Sequence, residues 1–203
     1  MKKLRFICTR CGNCCTDKNT LVNLTYFDIL RIKKGLNLEL NEILEIVGFY
    51  ISNNEFTSQD QEKMILTPII TEKGLAFIAL LKNSLGGCYF YDSTKKTCLI
   101  YDLRPMFCRT FPFSFKLIDE SDNKKNGELV IFYTKKGEEY CPGIGNKSPI
   151  IDENSWINLG IKTLEYLKLN HKFNTEWNKQ VKRKKVKPTA KEYLLRIIKI
   201  DDI

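Results

Sequence analysis

The chain has 203 residues, 33 Lys and Arg against 24 Asp and Glu, and a formal net charge of +9. Hydrophobic residues make up 43% and charged residues 28%, a balance that supports a buried core and excludes global disorder. No apolar run reaches the roughly 18–20 residues that cross a bilayer, and the stretch after Lys2-Lys3 stops at Phe6-Ile7, too short for a signal sequence. The expectation is a cytoplasmic protein without a membrane partner. Eight cysteines in a reducing compartment point to metal or redox chemistry rather than to disulfides. The single histidine, His171, lies far from every cysteine in the chain. Any metal site is therefore dominated by thiolates, which favour zinc, iron–sulfur clusters or copper(I) over magnesium or calcium.

In chain order, residues 1–20 carry the first cysteine cluster with little periodicity and read as a loop. Thr25 followed by Asp28 is a capping-box start, Tyr26, Phe27, Ile29, Leu30 and Ile32 give the apolar face, and Gly35 reads as the stop. Leu40, Ile43, Leu44 and Val47 predict a second helix over about 39–47. Residues 52–62 are polar and read as a loop. Residues 64–70 are β-like, with Pro68 as a break or a sign of an edge strand. Residues 75–83 are apolar and fit either a strand or a buried helix. After the second cysteine region, 86–115, two strands are predicted at 113–118 and 128–134, joined by the polar stretch 119–127. Cys141-Pro142-Gly143 opens a loop, and from Asn154 onward Trp156, Ile157, Leu159, Ile161, Leu164 and Leu167 recur at helical spacing. Pro188 closes a basic stretch, and Thr189 with Glu192 starts a short helix carrying Tyr193, Leu194, Ile197 and Ile198. The fold class is α+β: one irregular metal-stitched domain with short strands over 1–150, and a helical, basic C-terminal extension over 151–203.

The first cluster places Cys8, Cys11, Cys14 and Cys15 within one short loop. Two-residue spacers let such a loop turn its sulfurs inward, and Gly12 supplies the backbone freedom for the turn. The second region holds Cys88, Cys98 and Cys108 with nine residues between successive members, and Cys141 follows later beside a proline. A lone cysteine also serves as a small buried hydrophobe, so this second set carries a packing reading next to the ligand reading. Four thiolates on a divalent ion leave a net charge of about −2 that needs compensation. Arg104 and Arg109, on either side of Cys108, are placed to supply it, with Arg10 a further candidate. Asp92 and Asp102 are acid–base candidates by position alone. Tyr89, Phe90, Tyr91, Tyr101, Phe107, Phe111 and Phe113 would wall such a site or pack a core.

Together, CxxCxxCC near the start, C-x9-C-x5-RP-x2-CR-x2-P in the middle and the late CPG resemble the YkgJ-like CxxCxxCC cysteine-cluster family, described as zinc- or iron-chelating. The resemblance spans roughly residues 6–145 and takes in all eight cysteines with Arg104, Pro105, Arg109, Pro112 and Gly143, and Leu24-Thr25 with Asp28. It implies metal chelation and names no reaction. The first cluster is also similar, over few residues, to flagellin lysine N-methylases. Paired CxxC knuckles mark structural zinc. Three cysteines at CxxCxxC spacing with a remote Cys-Pro resemble iron–sulfur ligation instead, so iron, as an iron–sulfur cluster, is favoured over zinc. The function expected is metal binding, with a metal-dependent redox or group-transfer enzyme, such as one that modifies proteins, as the alternative. A third reading, a zinc-stabilised nucleic-acid-binding module or a docking surface for an acidic protein, rests on Lys179–Lys187, which holds six positive side chains and no acid. A solvated helix face is the plainer account of that run.

Overall fold

The structure, a computed structural model, describes residues 3–52, 65–118 and 128–201. The first cysteine loop ends in one helical turn, α1 (Asn13–Thr16), entered through Gly12 in the left-handed region at φ 82. Helix α2 (Tyr26–Leu36) starts on a closed capping box. Thr25 Oγ1 accepts from Asp28 N, and the Asp28 carboxylate accepts from Thr25 N. Gly35 does not end it. The helix runs on to Leu36, and Asn37 caps it at φ 52. Gly35 is where Leu103 packs, since a Cβ there would sit 2.4 Å from Leu103 Cδ1. The second helix, α3, is shorter than its pattern predicts, Leu40–Leu44. Val47 instead opens strand β1 (Val47–Ile51), paired with Leu80.

Strands β2 (Ile69–Thr71) and β3 (Gly74–Leu80) complete an antiparallel sheet of order β1-β3-β2. The ambiguous apolar segment is thus its central strand. Ala76, Ile78, Ala79 and Leu80 are buried there; β1 pairs along one side of the strand, and β2 at Ala76 and then residues 22–24 at 78–80 pair along the other. Pro68 precedes β2 rather than interrupting it, as its missing N–H requires. Most of the polar loop read at 52–62, and all of the connection read at 119–127, lies outside the described residues. A small hairpin, β4 (Tyr91–Asp92) and β5 (Thr97–Cys98), leads to a 3₁₀ turn (Tyr101–Leu103) and α4 (Met106–Thr110). The two strands expected near 113 and 128 form an antiparallel ribbon, β6 (Phe113–Ile118) with β7 (Glu128–Tyr133). Helices α5 (Lys135–Tyr140), α6 (Glu153–Lys182) and α7 (Ala190–Asp201) follow. The fold is α+β with a helical C-terminal part.

That C-terminal part is built into the main core. Trp177, Tyr193, Leu194 and Ile197 are buried with Ile29, Ile32, Ile43 and Ile78 in one cluster. Helix α6 also covers the open edge of the sheet. Asn178 Oδ1 accepts from Ile70 N and its Nδ2 donates to Pro68 O. Trp177 Nε1 donates to Ile70 O, and Asn174 Nδ2 donates to Thr67 O. These side chains satisfy backbone groups that an edge strand would otherwise leave bare. His171 belongs to the same seam, its Nδ1 2.6 Å from Thr67 Oγ1. The basic run is divided: Lys179–Lys182 closes α6, and 183–187 turns towards α7, with Val181 and Val186 packed on the core. Among the described residues no helix is long and apolar enough to cross a membrane.

Candidate metal centre

One cavity of about 80 Å³ is lined by all eight cysteines. They reach it from separate elements. Cys8 and Cys11 come from the N-terminal loop, Cys14 and Cys15 from α1, and Cys88 from just before β4. Cys98 comes from β5, Cys108 from α4, and Cys141 from the end of α5. All eight are free thiols.

Backbone hydrogen bonds hold these segments together. Ile7 N donates to Gly143 O at 3.1 Å, and Cys88 N donates to Cys15 O at 2.7 Å. Asn13 Nδ2 donates to Tyr140 O at 3.0 Å. Helix α4 is fixed by α2. The fully buried Asp28 accepts from Met106 N at 2.8 Å, and Arg31 Nη2 donates to Arg104 O at 2.7 Å. Asp28 is thus a positioning residue as well as a cap. Only its capping role is visible in the local sequence, because its second partner lies 78 positions away.

Arg10 and Arg104 also line the cavity. Their guanidinium carbons sit 4.1 and 3.8 Å from the centre of the Tyr101 ring, which they share as a cation–π support. Arg109 lies exposed near the end of α4 and is not among the lining residues. Asp92 is occupied in a turn, accepting from Thr94 N and Lys95 N, and neither it nor Asp102 lines the cavity. Of the aromatic residues picked from the sequence, Tyr91, Tyr101 and Phe111 form wall, and Phe6 and Tyr140 join them from segments the spacing did not mark. Phe90 and Phe113 are buried packing instead.

The cavity discourages bare charge on most of its thiols. Burial pushes Cys88, Cys98 and Cys141 up, and Cys108 well up. Cys14 and Cys15 form a pair, sulfurs 4.0 Å apart, in which either thiol can donate. That bond lowers Cys14 to about 7 and holds Cys15 above the ordinary thiol value. Burial, then nearby negative groups, pushes Tyr140 up to about 12, so it remains a neutral phenol.

The donor set suits a thiophilic metal. It offers sulfur without histidine, a wall of aromatic and aliphatic carbon, and two guanidinium groups to offset thiolate charge. The 4.0 Å between Cys14 and Cys15 is close to the ~3.8 Å edge of a tetrahedron with 2.3 Å metal–sulfur bonds. Elsewhere the thiols ring the cavity without closing on a point: among the described residues no three Cys, His or acidic side chains are already drawn together as ligands of one ion. The volume fits a compact inorganic centre and falls below the roughly 300–1,000 Å³ of organic-ligand pockets.

Comparison with known proteins agrees with this chemistry. A family model described as "Putative zinc- or iron-chelating domain", CxxCxxCC, matches residues 7–142. An uncharacterised protein of Methanocaldococcus jannaschii, MJ0661, is 26% identical over 141 residues, covering 70% of this chain and 59% of that protein. The chain thus spans about three-fifths of the length of that relative. No solved structure matches.

Proposed function

Because the chain belongs to the CxxCxxCC family of zinc- or iron-chelating domains, we propose that it holds iron, as an iron–sulfur centre, in the eight-thiol cavity. The observation that carries this reading is the convergence of all eight cysteines, from both ends of the matched region, on one small cavity. Eight thiols exceed the four that a structural zinc takes. Three of them follow CxxCxxC spacing, and Cys141 precedes a proline, an arrangement seen around iron–sulfur clusters. Arg104 and Arg10 stand where they offset thiolate charge, and Tyr91, Tyr101, Phe111 and Tyr140 keep the surroundings poor in water. A bound cluster would supply one-electron chemistry at a potential set by its charge and burial. Eight reduced thiols also suit a reducing compartment, which supports a cytoplasmic location.

Anaerobic purification with metal and sulfide analysis tests the proposal. A brown protein containing iron and acid-labile sulfide, with broad visible charge-transfer absorption, is the expected result. Colourless protein carrying stoichiometric zinc would replace iron with zinc. Protein that takes up neither metal after reconstitution would sink chelation altogether.

A further inference from the structure

We infer that the turn between α6 and α7 is a docking surface for the phosphate backbone of duplex nucleic acid. The surface involves none of the cysteines.

The turn is fixed in place by its own backbone. Arg183 N donates to Lys179 O, Lys184 N to Val181 O and Lys185 N to Gln180 O, so the last carbonyls of α6 are satisfied by the chain that leaves it. Lys184 stands in the left-handed region at φ 55, the conformation such a closure needs. Val181 and Val186 pack on the main core on either side of it. Pro188 O accepts from Glu72 N at 2.8 Å, which ties the exit of the turn to the β2–β3 turn.

With both valines on the core, the outward positions belong to cations. Lys179, Lys182, Arg183, Lys184, Lys185, Lys187 and Lys191 are all exposed. The acid beside them, Glu176, is engaged by Gln180 Nε2 at 2.7 Å and by Lys179 Nζ at 4.0 Å. Among the described residues, none of Lys182, Arg183, Lys184, Lys185 and Lys187 forms an ion pair. The negative end of the α6 dipole offsets part of their mutual repulsion, and a polyanion would offset the rest.

The chemistry of the surface selects among polyanions. Anionic membranes are held by cations together with apolar side chains that insert, and here Val181 and Val186 are taken up by the core. Single strands are held by stacking on exposed aromatic rings, and Trp177 and Tyr193, the aromatic residues nearest in sequence, are buried. Acidic proteins spread their carboxylates among neutral side chains, whereas a duplex carries one charge per about 1.7 Å of its axis. A dense row of lysines on a fixed turn matches that density, and as flexible point charges they grip phosphate without reading bases.

Fluorescence anisotropy of a labelled DNA duplex of about 20 base pairs, titrated with the full reduced chain across a salt series, tests the assignment. Five phosphate contacts give a slope of log affinity against log salt of about −4.5. Lys182→Gln, Arg183→Gln, Lys185→Gln and Lys187→Gln together, with Lys184 kept in its turn conformation, should flatten the slope to about −1 and weaken low-salt binding by more than about tenfold. Far-ultraviolet circular dichroism and cobalt(II) uptake of this variant should match the parent, so the loss reports the surface and not the fold. Should it misfold, Arg183→Gln with Lys185→Gln should still lessen the slope by about 2. Lys3→Gln, Lys95→Gln, Lys116→Gln and Lys147→Gln, exposed positions on other segments, remove the same charge and should leave the slope within about one unit. Equal losses in the two fourfold variants, or no duplex binding by the natural sequence at low salt, overturn the assignment. Tighter binding of poly-L-glutamate than of the duplex gives the turn to an acidic protein and overturns it as well.

Discussion

Replacing Asp28 by alanine should weaken the fold and the metal cavity together. The carboxylate is fully buried, and each oxygen has two partners. Oδ2 accepts from Thr25 N at 2.9 Å and Thr25 Oγ1 at 2.7 Å. Oδ1 accepts from Met106 N at 2.8 Å and Arg31 Nη2 at 2.5 Å. Loss of the cap costs about 1 kcal/mol. Removing one partner of a buried ion pair costs roughly 3–5 kcal/mol, but Arg31 is 22% exposed and its charge can recover water, so about 2 kcal/mol is the fitting share. The sum, about 3 kcal/mol, corresponds to a fall of roughly 1.5 M in the urea midpoint at an m-value near 2 kcal/mol/M. Unfolding should be followed on the reduced, metal-free chain, so that bound metal adds nothing to the folded state. Cobalt affinity of the same variant is the second readout, because Met106 begins the helix that carries Cys108. Asp28→Asn should fall in between, since an amide has one acceptor oxygen where the carboxylate has two. A midpoint within roughly 0.3 M of the parent, with unchanged cobalt affinity, would refute the idea that this carboxylate ties α2 to α4.

Metal affinity should tighten steeply as pH rises from about 6 to 8, because Cys15, Cys88, Cys98, Cys108 and Cys141 are held protonated in the free cavity and must lose protons to ligate; a flat profile, or no proton release on cobalt binding, would contradict this. The metal-free chain should respond in the opposite direction. Thiols raised in the folded state give stability that is complete below the unfolded value of about 8.5 and is lost as pH climbs through the folded values, so urea midpoints should be lower at alkaline pH than at neutral pH. Arg104→Ala should weaken cobalt binding by about tenfold or more, on the order of 1.4 kcal/mol for a lost compensating charge, while Arg109→Ala should leave it unchanged; equal effects would argue against Arg104 as the local counter-charge. Gly143→Ala drives a Cβ into Ile7 O, parts the Cys8 loop from the turn that carries Cys141, and should weaken binding in a cobalt(II) titration; unchanged affinity would show that this close approach does not hold the cavity together.

The parts of this molecule that were legible in its sequence are those decided within a few residues. The Thr25–Asp28 box, the two strands of the 113–133 ribbon and the helical periodicity after Asn154 are local signals, and each corresponds to an element. Gly35 was misleading because its meaning is long-range: a glycine near a helix end resembles a stop, and this one makes room for Leu103. Val47 closed an apolar helical pattern, yet its pairing with Leu80 puts it in the sheet. Asn170, Asn174 and Asn178 recur every four residues and would ordinarily mark a wet helix face. The first two are buried because Tyr26 N and Thr67 O need partners there, and Asn178 serves Ile70 N and Pro68 O in the same way. Around the cavity, spacing marks the cysteines as a set, and their convergence from distant segments is visible only in the fold. Proximity to Cys108 could not separate Arg104 from Arg109; what separates them is that the chain folds one over Tyr101 and leaves the other facing solvent.

The core and the cavity meet along one wall, and this contact supports the eight thiols unequally. Val22, Leu80 and Ile100 line the cavity and also belong to the main cluster or pack against it. Cys88 and Cys98 lean on that cluster, so these two thiols are held by the same burial that holds the sheet and helices α2, α6 and α7 together. Cys8 and Cys11 are exposed. Their loop is tied down by Ile7 at Gly143 and by Asn13 at Tyr140, and a short loop ordered by a few hydrogen bonds is readily loosened. Ligation by Cys8 and Cys11 would therefore contribute ordering that the loop lacks by itself, whereas ligation by Cys88 and Cys98 would use walls that the core already holds in place. Cys8, Cys11 and Cys14 are the thiols that a metal donor can reach. The division of the thiols into supported and reachable ones thus follows from where the hydrophobic core ends.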